Sequence, residues 1–131
     1  MDDFINRLTG SVWFGYLARV GVTFMYWSSG LAKLADFSSA KAEMAFFGLA
    51  PAGLFAVAVI ATQLIGSALI IVNRHAWLGA GMLAVFTALT IPVAHQFWTM
   101  EEPLRTIEFY VVMEHITMIG AMMVVAWKTA R

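Results

Sequence analysis

The sequence has no cysteine, only three prolines, and little charge: Asp, Glu, Lys and Arg make up 12% of its 131 residues. Without cysteine there can be no disulfide, no thiolate metal site and no cysteine nucleophile. Soluble domains carry about 25% charged residues, so this chain has half the usual share, which argues against an ordinary soluble enzyme and a disordered chain. Eight basic residues balance eight acidic ones, leaving no net field to draw in a polyanion, so nucleic acid is not an expected partner. There is no phosphate loop, no Gly-x-Ser-x-Gly elbow, no dinucleotide fingerprint and no Cys-x-x-Cys, hence no sign of a soluble-type catalytic machine. What remains is 61% hydrophobic with a mean hydropathy of +0.79. The length suits a single domain over residues 1–131, and the expected solvent is a bilayer.

A bilayer core needs roughly 20 apolar residues of helix to cross it. Four runs reach that length: residues 12–32, broken by Arg19; 51–72, without charge and with one Gln63; 76–97, without charge and with a late Pro92; and 107–127, with Glu108 at its rim and Glu114 inside. The second and third runs have no charged outer face, as core helices of a soluble bundle would. The first run is too long, and its flank too acidic (Asp2, Asp3), for a cleaved signal peptide. The expected fold is therefore all-α: an up-down integral membrane bundle of four transmembrane helices. Residues 73–75 form a tight turn that makes spans two and three an antiparallel hairpin. Ser38 and Ser39 predict the cap of a short helix running to Phe47 in the 33–50 connection, interfacial or re-entrant, or else an ordered loop. Arg7, Arg74, Lys128 and Arg131 fall on one side, and Lys33, Lys41 and Arg105 on the other. That balance places both termini in the cytoplasm. Trp13, Trp27, Trp77, Trp98 and Trp127 lie mostly near span ends, as an aromatic belt does.

Charges inside a membrane usually pair and face the bundle interior. On the first span a 100° step per residue gathers Gly15, Arg19, Thr23, Tyr26, Gly30 and Lys33 into one arc. This is an inverted amphipathic helix whose polar stripe turns away from lipid. Taking span midpoints as the bilayer centre, Arg19 and Glu114 each fall ~5 Å from it on opposite sides, which predicts an Arg19–Glu114 ion pair. Gln63 falls near the middle and Lys33 at the outer mouth. His115 is ~100° from Glu114 on its helix, so both face inward only if the fourth span is enclosed. His95 continues a small-residue face of Gly81, Ala84, Ala88 and Ile91, which directs it inward, and Pro92 there can kink the helix and free a carbonyl.

Several uses of these groups stay open. The glycines and polar residues of span one can simply be interhelical glue. A metal site would need His95, His115 and Glu114. The two histidines share no helix and form no His-x-x-x-His or Glu-x-x-His motif, so no metal is expected. Glu114 and His115 beside Arg19 would make a proton or redox site. A small ligand such as a quinone would hydrogen-bond to Tyr26, Gln63 or a histidine between apolar walls. Small-residue runs (Ala80, Ala84, Ala88; Ala58, Thr62, Gly66) offer a packing face for the bundle or for a homodimer.

The segment "ARVGVTFMYWSSGLAKLADF" resembles the opening helix of the DoxX family: an early Arg19, then Ser29, Gly30, Leu31, Ala32 and Lys33 before a loop. Phe46 to Gly53 ("FFGLAPAG") resembles the family's approach to its second helix, His95 to Trp98 ("HQFW") the end of its third, and Glu114 to Val124 the start of its fourth. Many members have Lys-Asn where this chain has Glu114-His115, so the Arg19–Glu114 pair is not something the resemblance implies. The resemblance implies a four-helix bacterial inner-membrane protein. Its wider group includes a subunit of a thiosulfate:quinone oxidoreductase, a maturation factor for methylamine dehydrogenase and a eukaryotic cargo receptor. The expected function is a redox-associated membrane protein with a polar pocket of Arg19, Tyr26, Gln63, His95, Glu114 and His115 for a quinone-like or other lipophilic molecule. The alternatives are a non-catalytic assembly subunit that binds a membrane or soluble oxidoreductase partner, or a transporter, for which four short helices enclose little volume.

Overall fold

The computed structural model describes residues 1–130. Those residues form helices and no strand: α1 (Asp2–Thr9), α2 (Val12–Val22), α3 (Phe24–Ala35), α4 (Phe37–Phe46), α5 (Ala52–Ile71), α6 (Ala76–Ala94) and α7 (Leu104–Thr129), with a single 3-10 turn at Phe97–Thr99. Three stretches are long and apolar enough to cross a membrane: Ala52–Ile71, Ala76–Thr99 and Leu104–Thr129. Their outward side chains include Leu54, Ile65, Val85, Leu89, Ile116 and Val124, all exposed. An apolar exterior of this kind is what a lipid solvent requires.

The first predicted span is not one helix. It breaks at Thr23, which ends α2 and begins α3. Thr23 is fully buried, and its hydroxyl donates to the carbonyls of Arg19 (2.7 Å) and Val20 (3.2 Å). The Trp27 indole N–H donates to Val20 O as well. Side chains therefore satisfy carbonyls that the interruption strips of helical donors, as an apolar surrounding demands. Both halves pack against α5, so the break bends the chain along one neighbour and does not reverse it.

The α5–α6 hairpin is the spine. α2, α3 and α4 lie against α5, and α7 lies against α6. The hairpin turn is built by two left-handed residues, Asn73 and His75. Asn73 N–H donates to Ile70 O and Arg74 N–H to Leu69 O, which closes α5 in a Schellman-type end. α4 ends the same way at Gly48, where φ is +76 and Leu49 N–H reaches Met44 O. The α4 cap differs from the expected one. Asp36, rather than Ser38 or Ser39, precedes the helix, and its carboxylate accepts from the Ser39 N–H and hydroxyl. Those two bonds hold the Asp36 carboxyl below its usual range.

The core gathers where α3, α5, α6 and α7 meet, around Tyr26, Ile70, Ala80, Leu83 and Met122. A smaller cluster of Ala40, Met44 and Ala56 seats α4 on α5. The buried face of α6 is Ala76, Gly79, Ala80, Leu83 and Thr87. The predicted face through Gly81 and Ala88 is exposed, although Ala84 packs on the core. His95 turns inward for another reason: α6 ends at Ala94 and His95 leaves helical geometry with ψ 46, so its direction does not follow the helical period. Gly66 and Gly79 let α5 and α6 touch backbone to backbone. A Cβ on Gly79 would lie 2.5 Å from the Gly66 carbonyl oxygen, whereas one on Gly81 would meet open space. We expect Gly79→Ala to lower unfolding stability in detergent by about 1–3 kcal/mol through overpacking. Gly81→Ala should leave it unchanged or raise it by up to ~1 kcal/mol. Equal responses of the two variants would contradict this packing.

Candidate functional site

Between α3, α4, α5 and α6 lies a cavity of about 420 Å³, with one wall touched by α7. Its size falls within the range of small-molecule sites, ~300–1,000 Å³. Met44, Phe47, Phe55, Val59 and Phe86 supply apolar walls, while Tyr26, Gln63, Lys33, Glu43, His95 and His115 supply the polar lining. Four residues of the predicted pocket thus share one space: Tyr26, Gln63, His95 and His115. Lys33, expected at the outer mouth, also lines it. Met25, Leu89 and Val93 line the cavity and are exposed at the protein surface, so it opens sideways through an apolar rim.

The deep end is fixed by hydrogen bonds. Tyr26 is 1% exposed, and its hydroxyl lies 2.6 Å from Thr87 Oγ1. Thr87 donates its own hydrogen to Leu83 O at 2.7 Å, so Tyr26 is the donor in that pair. Gln63 is 5% exposed, and its Oε1 has no protein partner. Ser67 Oγ, one turn along α5, is likewise buried and unpartnered. Buried polar atoms without partners are uncommon and costly.

The opposite end lies where α3 and α6 finish and α5 and α7 begin. There the Lys33 ammonium donates to Ser29 Oγ at 2.8 Å and lies 3.8 Å from a Glu43 carboxylate oxygen. His95 Nδ1 is 2.6 Å from Glu108 Oε2, and the His95 ring meets the His115 ring edge to face at 4.7 Å between centroids. Glu108 was expected only at the rim of its span. It is a site residue that the sequence reading missed, though a signal was there. Glu108 and His115 are seven residues apart, two turns on one face of α7, and Glu108 starts its span at the end where His95 finishes the preceding one.

Two predicted residues lie elsewhere. Arg19 does not pair with Glu114. Its Nε donates to Ile71 O at 3.2 Å, at the last residue of α5, where a cation meets the negative end of a helix dipole. Its side chain runs back over Gly15 toward the start of α2, since a Cβ on Gly15 would meet the guanidinium at 3.2 Å. The span-midpoint estimate therefore placed Arg19 too deep: its head group sits level with the α5–α6 turn. Glu114 is exposed on the outer side of α7 and does not line the cavity. Of the adjacent pair Glu114-His115, the histidine faces inward and the glutamate outward, as their ~100° separation requires on a helix that is not enclosed. His95, His115 and Glu114 accordingly do not form a ligand set.

Because Arg19 serves the end of α5 and not the cavity, its loss should be structural. Arg19→Gln is expected to lower the unfolding free energy by about 0.5–2 kcal/mol, the scale of a charge at a helix terminus. Glu114→Gln should change it by less than ~0.5 kcal/mol. Thermal melts of the two variants and their double mutant check this: a large non-additive coupling would restore the Arg19–Glu114 pair.

Comparison with known proteins agrees with this architecture. The family model described as DoxX matches residues 15–96, from early α2 to just past α6. The match takes in Tyr26, Lys33, Gln63 and His95 and stops before α7, which carries Glu108 and His115. No curated protein and no solved structure gave a match. The matched region covers more than half of the chain and includes two of its membrane-length helices, and on that ground this multi-pass helical membrane protein belongs to the DoxX family.

Proposed function

We propose that the protein is a redox-associated bacterial inner-membrane protein that binds a lipophilic small molecule with a hydrogen-bonding ring, of the quinone class, in the cavity between α3 and α6. The observation that carries this reading is the composition of that single space. A volume of about 420 Å³ with mainly apolar walls holds Tyr26, Gln63, His95 and His115. An apolar cavity with a few convergent polar groups is the usual form of a small-molecule site. The exposed rim of Met25, Leu89 and Val93 suits a ligand with an alkyl tail that enters from the lipid side. In this reading α2 and α3 together make a fourth crossing, bent at Thr23, and α4 lies at the membrane interface over the mouth. Both termini face the cytoplasm, with Arg7, Arg74 and Lys128 on that side.

A second reading has its own observation. Glu114 is exposed on α7, which packs on α6 and leaves most of its surface free. A carboxylate on the outer face of a membrane helix favours a partner helix that would pair with it, which fits an assembly subunit or a homodimer.

Binding of a short-tailed ubiquinone analogue, in both its oxidised and reduced forms, to the protein in nanodiscs separates the two. The ligand reading predicts saturable binding of at least one form. It also predicts about tenfold weaker binding in Gln63→Leu, the cost of one good buried hydrogen bond, and no change in Glu114→Gln. Absence of saturable binding of either form would reject it.

A further inference from the structure

We infer that α1 is an interfacial anchor: it lies along the membrane surface with Phe4, Ile5 and Leu8 seated in lipid just beneath the headgroups. This goes beyond the ligand reading and rests only on α2 and α3 crossing the membrane together. α1 has no buried residue, although Phe4, Ile5 and Leu8 are large, apolar and all exposed. A 100° step per residue gathers these three into an arc of about 100°, and Asp2, Asp3, Asn6, Arg7 and Thr9 fill the rest of the turn. A helix so fully divided has two faces that want different solvents. Water suits the polar face, and among the described residues nothing buries the apolar one.

The surroundings of α1 say what covers it. α2 has 11 residues and α3 has 12, about 35 Å of helix at 1.5 Å per residue, which already exceeds a hydrocarbon core of about 30 Å. α1 is therefore not needed to cross. A corner sets it off from α2: Gly10 ends α1, Ser11 is extended with ψ 146, and the Ser11 hydroxyl caps α2 by accepting from the Phe14 N–H. α2 then opens with Val12, Trp13 and Leu17 exposed, and a tryptophan in the first turn of a span suits the bilayer interface. The α5–α6 turn lies at this same end, because Arg19 donates to Ile71 O. The apolar stripe of α1 is thus continuous in the chain with a lipid-facing surface, at the level where the helices leave the membrane. Charge does not supply the attachment. Asp2 and Asp3 outnumber Arg7, so anionic headgroups exert no pull and apolar burial is the whole of the partner chemistry. The family match begins at residue 15 and does not include α1.

Because the chain has no cysteine, a single introduced one is the only place a nitroxide label can attach. Leu8→Cys, Asn6→Cys and Leu17→Cys, each labelled and reconstituted into phosphatidylcholine vesicles, test the anchor through their collisions with oxygen and with a water-soluble nickel chelate, read by power saturation. The expected result is a severalfold higher oxygen-to-nickel ratio at position 8 than at position 6, with position 17 higher still. Adding phosphatidylglycerol should leave that order unchanged. Equal ratios at positions 8 and 6 would overturn the anchor, and so would shielding of position 8 that appears only with the anionic lipid. Spin–spin broadening at position 8 that fades on dilution with unlabelled protein would put a second copy of the chain there in place of lipid. Free access of nickel to position 17 would reject the crossing by α2 and α3, and the anchor with it. Quinone binding, measured separately, is independent of all these outcomes.

Discussion

The hydrogen bond from Tyr26 to Thr87 joins α3 to α6 at the floor of the cavity, and the arrangement around it follows from the need to place polar atoms in an apolar medium. Tyr26 and Leu83 belong to the central cluster, so the tie fixes where α3 meets the hairpin as well as where the cavity ends. Above it the walls are apolar and the space stays open; below it Ile70, Ala80 and Met122 close the core. The same requirement explains Thr23 and Trp27, whose side chains take up carbonyls at the bend in the first span, and Arg19, which serves the exposed end of α5. A chain with so few charged residues uses its buried polar groups chiefly to complete backbone.

Gln63 and Ser67 depart from that rule. They lie one turn apart on α5, both buried, each with an atom that no protein group meets. Gly30 and Gly66 bring α3 and α6 close to α5 on either side, against Leu64 and Leu83, so the helix is clamped and Gln63 has little room to withdraw. In the proposed ligand site Gln63 stands in the cavity lining with a buried acceptor that no protein group meets.

The residues that hydropathy and helical period could reach were those whose environment is set by one helix alone. The three long spans, the hairpin turn and the polar stripe of the first span belong to that class. In the structure Thr23, Tyr26 and Gly30 are buried while Val12, Leu17 and Leu31 on the same span are exposed. The bend at Thr23 was not legible, because its hydroxyl competes with backbone donors only once the helix is packed and dry. The depth of Arg19 was misjudged because a span midpoint locates the Cα, whereas the long side chain carries its charge back toward the helix start. Span position alone puts Glu108 at the rim of its helix and gives it no partner. Its partner His95 stands thirteen residues away across a turn, a distance that becomes contact only when α6 and α7 are seen as neighbours. Glu114 and His115 show the converse: the ~100° between them lets both face inward only on an enclosed helix, and the packing of α7 on α6 leaves Glu114 outside.

The central claim is that the space bounded by Tyr26, Gln63 and His95 is a ligand site and not an unfilled core. A density map of the natively purified protein, held in nanodiscs and enlarged with a bound antibody fragment, tests it most directly. The account predicts elongated non-protein density in the cavity, with a polar end within hydrogen-bond distance of Tyr26 or Gln63 and a tail leaving past Met25 and Leu89. A centre closed by side chains, with Gln63 Oε1 bonded to a protein group, would contradict it.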